Sequence, residues 1–235
     1  MCSLERQGQV AVLRLVGDGE HWLNPNLLND ILEALKVVQD SDARALVTTN
    51  DGNFFSNGLD LQWAKEDPPK RLPDLVLEME KVVLAFMTLK VPTISCVCGH
   101  VCGARTSISM AHDYQYMRND RGFWIMTPLR SNSMSMVPGY VSPPGSFTLA
   151  RLKLTPRAYR DAFLLSPRLT ARQAFEAGII DKYFHTAQDA RKAAMDLAGE
   201  LADRNFNKDT YAIVRMTIYA DAIKELDHEK ARMLL

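Results

Sequence analysis

The sequence predicts an α/β fold with a helical C-terminal subregion. In the first part of the chain, short runs rich in β-branched residues alternate with stretches whose apolar residues recur at helical spacing. From Ser146 onward the pattern is helical. No long linker or internal repeat interrupts the chain, so we expect an α/β core over 1–185 and a helical region over 186–235.

The first predicted unit is a strand followed by a helix. Residues 9–16 alternate between apolar and polar side chains and are rich in valine. Residues 25–38 have apolar side chains at helical spacing, with Asn24 placed to cap the helix and Pro25 suited to its first turn.

The later units repeat this order. Residues 131–146 are rich in Ser, Pro, Gly and Met and predict an irregular loop. Thr170 is placed to cap a helix and Gly178 to end it. The remaining predicted strands cover 45–49, 92–98, 114–117 and 123–126, and the remaining predicted helices cover 73–89, 171–177, 187–203 and 208–228.

Composition excludes several classes of function. The 235 residues are 47% apolar, and 28 basic side chains balance 28 acidic ones, so no excess of charge favours nucleic acid or an anionic membrane. The wholly apolar runs are far shorter than the roughly 20 residues that span a bilayer. We expect a soluble intracellular protein without nucleic-acid or membrane partners.

Two turns rich in small residues are the most informative features. Residues 53–61 and 99–106 each end a strand-like run and open a predicted helix. The first N–H groups of a helix have no partner within it and can bind an anionic oxygen. The two turns therefore predict an oxyanion hole.

The motifs carry a resemblance. Phe-Ser-Asn-Gly-Leu-Asp-Leu at 55–61, the stretch from Gly-His at 99–100 to Ala-His-Asp-Tyr at 111–114, and Leu-Thr-Ala-Arg-Gln-Ala-Phe-Glu-Ala-Gly-Ile-Ile-Asp at 169–181 resemble the crotonase (enoyl-CoA hydratase/isomerase) superfamily in order and spacing. Within it, residues 1–4, 17–25 and 117–123 are similar to plant peroxisomal Δ3,Δ2-enoyl-CoA isomerases.

The resemblance implies a spiral of ββα units that assembles as a homotrimer and binds an acyl-CoA, with coenzyme A as part of the substrate and no separate cofactor. It implies that the backbone N–H groups of Leu59 and Ala104 bind the thioester oxygen. Arg105 stands where the family has a small residue, so it either distorts the turn or brings a cation near the pocket. The implied substrate-binding positions are Ser56, Asn57, Gly58, Gly103 and Pro128.

The chain departs from the family at the acid/base. The isomerases move a proton with one glutamate, and its position here is Pro128. The second glutamate of the hydratases corresponds to Ser107. Residues 128–144 contain no Asp or Glu, so a small change of alignment recovers no carboxylate.

Three interpretations remain open. The chain catalyses another reaction in a reshaped pocket, on a CoA ester or a substrate without CoA. Alternatively, it retains a weak isomerase activity with a carboxylate such as Asp60 or Glu66, or it is a noncatalytic member that binds acyl-CoA or serves as a scaffold. The alternative interpretation of Asp60 is a structural one, in which its side chain caps the local helix. The other candidates for acid, base or pocket residues are His100, Thr127, Arg130, Ser131, Asn132 and Tyr140.

Two further predictions concern metal binding by the cysteines and the cellular compartment. Cys96, Cys98, His100 and Cys102 would share one face of a straight strand, but they would span too far for one tetrahedral metal, so we predict no metal site. The resemblance implies a peroxisomal protein, and the cytoplasm is the alternative because the last residues do not form the usual peroxisomal address.

Overall fold

The computed structural model describes residues 1–17, 19–127 and 144–227. A six-stranded sheet forms the centre of the fold. Its strands are β1 (Cys2–Gln7), β2 (Val10–Leu15), β3 (Ala45–Asn50), β5 (Thr93–Val97), β7 (Tyr114–Arg118) and β9 (Lys182–Phe184). They lie in the order β1-β2-β3-β5-β7-β9, with β1 antiparallel to β2 and all the other neighbours parallel.

A second sheet has three short parallel strands, which alternate in the sequence with strands of the first sheet. It consists of β4 (Phe54–Ser56), β6 (His100–Cys102) and β8 (Trp124–Ile125), in that order. Because β4 and β6 are parallel neighbours, the turns that follow them leave the same edge of the sheet. This arrangement brings the two predicted turns together.

Ten helices lie among the described residues. They are α1 (Pro25–Asp40), α2 (Leu61–Ala64), α3 (Pro68–Thr88), α4 (Ala104–Met110), α5 (Pro144–Lys153), α6 (Pro156–Leu164), α7 (Ala171–Glu176), α8 (Ala187–Asp203), α9 (Lys208–Ile218) and α10 (Ala220–Leu226). None of these helices is both long and apolar enough to cross a membrane.

The capping predictions for two helices are confirmed. The Asn24 side chain accepts a hydrogen bond from the Leu27 N–H, and Pro25 occupies the first turn of α1. At α7, the Thr170 side chain accepts from the Gln173 N–H while the Gln173 side chain accepts from the Thr170 N–H, which forms a capping box.

Several predicted boundaries are wrong. α3 begins at Pro68, so Pro73 lies inside the helix rather than at its start. The predicted helix over 208–228 divides into α9 and α10 at Tyr219. The strands β1, β4, β6 and β9 lie outside the predicted strands. β9 is only three residues long and exists because it pairs with β7, which is information that no local pattern contains.

The core has two parts. One apolar cluster fills the space between one face of the large sheet and helices that include α1, α3 and α4. A smaller cluster joins the opposite face to α8, where Ala190, Ala194 and Ala198 recur every four residues and let the helix approach the strands closely. The division between 1–185 and 186–235 remains a prediction.

Candidate functional site

The turn after β4 and the turn after β6 are in contact. Gly58 has a φ of 94°, and a Cβ at this position would lie 3.3 Å from the Cys102 carbonyl oxygen and 4.0 Å from the Ala104 nitrogen. A larger residue would be strained by this φ and crowded against the second turn. Glycine at position 58 therefore allows the two turns to lie side by side.

The turn after β4 is held by Leu23 in a way that leaves one N–H group unused. The Leu23 N–H donates to the Gly58 carbonyl at 2.8 Å, and the Asp60 N–H donates to the Leu23 carbonyl at 2.9 Å. Among the described residues, the N–H of Leu59 between them has no acceptor. The hydrogen bonds that fix the turn thus leave this donor available.

The second turn leaves a similar donor. Gly103, with φ 57° and ψ −130°, precedes α4, and its N–H donates to the Ile125 carbonyl at 2.8 Å. Ala104 is the first residue of α4, where an N–H has no partner within the helix. No acceptor for the Ala104 N–H occurs in the described parts of the chain.

Ser56 and Asn57 fasten the first turn from behind. The Ser56 hydroxyl donates to the His21 carbonyl at 2.5 Å and accepts from the Gly58 N–H at 3.2 Å. The Asn57 side-chain amide donates to the Glu20 carboxylate at 2.7 Å. Both residues were predicted to bind substrate. In the structure their side chains make hydrogen bonds that position the turn.

The two carboxylates considered from the sequence make local contacts. Asp60 caps α2 by accepting from the Trp63 N–H at 3.0 Å. Glu66 pairs with Arg71 at 2.7 Å, and its side chain is 70% exposed. Asp60 lies directly beside Leu59, whereas Glu66 faces solvent.

His100 and Thr127 both lie near the second turn. His100 begins β6 between the rings of Phe54 and Phe123, with ring centroids 4.9 and 5.5 Å away. Burial, followed by nearby arginines, lowers the pKa of His100. The Thr127 hydroxyl oxygen would lie 3.1 Å from a Cβ at Gly103, so it borders the turn. Outside the described residues lie Pro128, Arg130, Ser131, Asn132 and Tyr140.

The cysteines do not share one strand. Cys96 lies on β5 and Cys98 directly follows it, whereas His100 and Cys102 lie on β6 beyond the turn at Gly99. The sulfur atoms of the buried Cys96 and Cys98 are 3.7 Å apart. The described residues include no group of three His, Cys, Asp or Glu side chains that could hold a metal ion.

Arg105 is buried completely, directly after Ala104. Its guanidinium carbon lies 4.9 Å from the centre of the Phe55 ring, and its three nitrogens have no hydrogen-bond partner among the described residues. Burial lowers the pKa of Arg105 to about 9. The Arg105 guanidinium therefore lies in the core, and its burial does not prevent α4 from forming.

Glu80 is another fully buried charge, and it lies outside the sequence motifs described above. The residue is 0% exposed on α3, and its Oε1 would lie 3.2 Å from a Cβ at Gly145. One signal was present in the sequence. Glu80 falls on the apolar stripe of α3, four residues after Val76 and three before Val83, where an acidic residue is unexpected.

The arrangement can act on an anionic oxygen. Leu59 and Ala104 each contribute an N–H group that has no acceptor among the described residues, from two turns in contact. Fixed donors of this kind stabilise negative charge that develops on an oxygen during a reaction, typically by several kcal/mol. A carbonyl compound that forms an enolate would develop such a charge.

Comparisons with known proteins agree with the fold. The family model described as enoyl-CoA hydratase/isomerase matches residues 5–231. Enoyl-CoA delta isomerase 2, peroxisomal, from Arabidopsis thaliana is 34% identical over 230 residues, covering 94% of this chain and 93% of the relative.

A second relative and a solved structure give the same picture. Enoyl-CoA delta isomerase 1, peroxisomal, from the same plant is 32% identical over 227 residues, covering 95% of this chain and 91% of the relative. The structure of a probable enoyl-CoA hydratase from Mycobacterium tuberculosis superposes with a TM-score of 0.84 at 21% identity, covering 99% and 95% of the two chains. The chain therefore belongs to the enoyl-CoA hydratase/isomerase family, with its crotonase-like α/β fold.

Proposed function

We propose that this protein binds acyl-CoA thioesters and stabilises an enolate at the thioester oxygen with the N–H groups of Leu59 and Ala104. One observation carries the proposal: the two turns are in contact, and both N–H groups lack an acceptor among the described residues. Coenzyme A enters as part of the substrate, and no further cofactor takes part.

The reaction that we propose is the conversion of a 3-enoyl-CoA into a 2-enoyl-CoA. The names of the two Arabidopsis relatives support this choice. Removing a proton from carbon 2 creates a dienolate, and donors fixed at its oxygen lower the barrier because they need no reorganisation during the reaction.

One observation favours a second candidate, acyl-CoA binding without catalysis. Ser107, which stands at the position of the hydratases' second glutamate, is buried on α4 and provides no carboxylate. In this case the protein would bind the thioester and leave it unchanged.

Ala104→Pro tests the oxyanion assignment. Proline removes the N–H group, and the first position of a helix tolerates proline, so α4 should still form. We expect turnover of 3-enoyl-CoA to fall by about 100-fold or more, as for the loss of one oxyanion donor in other enzymes. The matched control is Ala104→Gly, which keeps the N–H group and should retain most of the activity.

The assay pairs turnover with acyl-CoA binding measured by calorimetry. Turnover by the wild type that Ala104→Pro leaves unchanged would contradict the oxyanion assignment. Binding without turnover would favour the noncatalytic candidate. Absence of both would contradict an acyl-CoA function.

The relatives' names also support a peroxisomal location as a proposal, with the cytoplasm as the alternative. Imaging of the full-length protein together with a peroxisomal marker decides between the two. A diffuse cytoplasmic signal would contradict the peroxisomal proposal.

A further inference from the structure

We propose that Glu80 is the carboxylate that moves the proton, in place of the glutamate that is missing at position 128. This inference rests on the proposed acyl-CoA isomerisation. It begins from a carboxylate with no solvent exposure in a chain whose usual acid/base positions hold Pro128 and Ser107. Glutamate is almost never buried in this way without a specific role or compensation.

Three helices locate Glu80 relative to the candidate oxyanion donors. α3 and α4 each return the chain to the start of a strand of the parallel sheet, α3 to β5 and α4 to β7, so they run in the same direction. Their C-terminal ends meet where the rings of Phe86 and His112 lie 4.2 Å apart. The end of α5 joins them, because Lys153 donates to the His112 carbonyl at 2.7 Å.

The positions of the other residues along the helix axes follow from counting residues back from these C-terminal ends. A helix rises 1.5 Å per residue, so Ala104 lies about 12 Å before His112 and Glu80 about 9 Å before Phe86. Gly145 lies about 12 Å before Lys153, and the distance of 3.2 Å between Glu80 Oε1 and a Cβ placed at Gly145 agrees with this count. Glu80, Ala104 and the first turn of α5 therefore lie at the same end of one layer of helices.

Two other described carboxylates near the first turn are less suitable. Asp60 uses its side chain to cap α2, and Glu66 is exposed and paired with Arg71. Glu80 is removed from water, and along the helix axes it lies within about 3 Å of the level of Ala104. Exclusion of water strengthens the electrostatic interactions of a catalytic group.

The proposed step conserves atoms and electrons. The Glu80 carboxylate takes a proton from carbon 2 of the 3-enoyl-CoA, the C–H electrons form a double bond between carbons 1 and 2, and the carbonyl electron pair moves onto the thioester oxygen. When the carbonyl re-forms, the pair between carbons 1 and 2 moves between carbons 2 and 3, and the pair of the former double bond between carbons 3 and 4 takes a proton onto carbon 4 from the Glu80 carboxylic acid. The carboxylate is restored, and the thioester oxygen carries the transient negative charge.

A structural role would give a different result from an acid/base role. Oε1 lies near the first turn of α5, where a carboxylate can accept hydrogen bonds from free N–H groups. Glu80→Gln keeps a side-chain oxygen that accepts hydrogen bonds, so it can still serve as a cap. It cannot accept and return a proton at carbon.

The experiment compares Glu80→Gln with the matched control Glu78→Gln on the wild-type background. Glu78 lies on the same helix, is partly exposed and pairs with Lys81 at 2.7 Å. We expect Glu80→Gln to lower kcat for 3-enoyl-CoA by about 100-fold or more. Its Kd for a saturated acyl-CoA and its melting temperature should remain close to the wild-type values, and Glu78→Gln should be unchanged throughout.

Each outcome has a distinct meaning. If the wild type converts 3-enoyl-CoA and folded Glu80→Gln does so equally well, Glu80 is not the acid/base while the proposed function stands. If the wild type neither binds nor converts acyl-CoA, the proposed function itself fails.

A wild type that binds without conversion also overturns the role of Glu80. Should Glu80→Gln fail to fold, Glu80→Asp keeps the carboxylate but shortens its reach. It should lower kcat with little change in KM, and an unchanged kcat would contradict the proposal.

Discussion

At the scale of single residues, two fully buried charges among the described residues differ from what the sequence patterns predict. Arg105 and Glu80 both lie at 0% exposure, Glu80 on a helix whose other buried side chains are apolar and Arg105 on one that also buries hydroxyl side chains. A sequence gives the position of a charge along a helix, but the direction of its side chain depends on neighbours that are distant in sequence. The cation that the sequence suggested near the turn is therefore found over the Phe55 ring in the core.

Replacing Arg105 by methionine should stabilise the protein. Burying polar groups without hydrogen bonds is unfavourable, and methionine fills a similar volume without this penalty. We expect the free energy of unfolding in urea to rise by about 1 to 3 kcal/mol. The control Arg172→Met removes an exposed pair with Glu176 and should change stability by less than about 0.5 kcal/mol. A loss of stability in Arg105→Met would contradict this account.

At the scale of elements, the predictions succeed where the determinants are local. Asn24 with Pro25, and Thr170 with Gln173, mark the starts of α1 and α7 because each cap is made within four residues of sequence. The turns after β4 and β6 were identifiable for the same reason. β9 was not, because its pairing with β7 joins residues far apart in the chain.

The contact between α4 and the large sheet predicts acid sensitivity. His112 follows α4, and its ring nitrogens bond to the Ile108 carbonyl at 2.9 Å and the Thr48 hydroxyl at 2.8 Å. Burial lowers the pKa of His112 to about 3. Because the unfolded chain binds a proton near pH 6.5 and the folded one does not, stability is present above that pH and is lost as the pH falls towards 3.

Urea unfolding as a function of pH measures this effect. Between pH 7 and pH 4.5, His112 should account for a loss of about 2.5 kcal/mol in the free energy of unfolding. His112→Gln should be less stable at pH 7 but should lose less on acidification. Equal slopes for the two proteins would show that His112 does not control this dependence.

At the scale of the whole molecule, the family resemblance predicts a homotrimer. Ile213, Val214 and Ile218 are exposed on α9 at 60%, 53% and 61%, which an association between chains would explain. Light scattering should therefore give about three times the chain mass of 26.4 kDa. A monomer at micromolar concentration would contradict the prediction.

The central claim is that the N–H groups of Leu59 and Ala104 stabilise an enolate of an acyl-CoA. The most direct test is the exchange of the carbon-2 hydrogens of a saturated acyl-CoA in D₂O, followed by NMR, because it detects the enolate without requiring isomerisation. We predict exchange with the wild type and a loss of about 100-fold with Ala104→Pro. No exchange by the wild type, or equal exchange by Ala104→Pro, would contradict the claim.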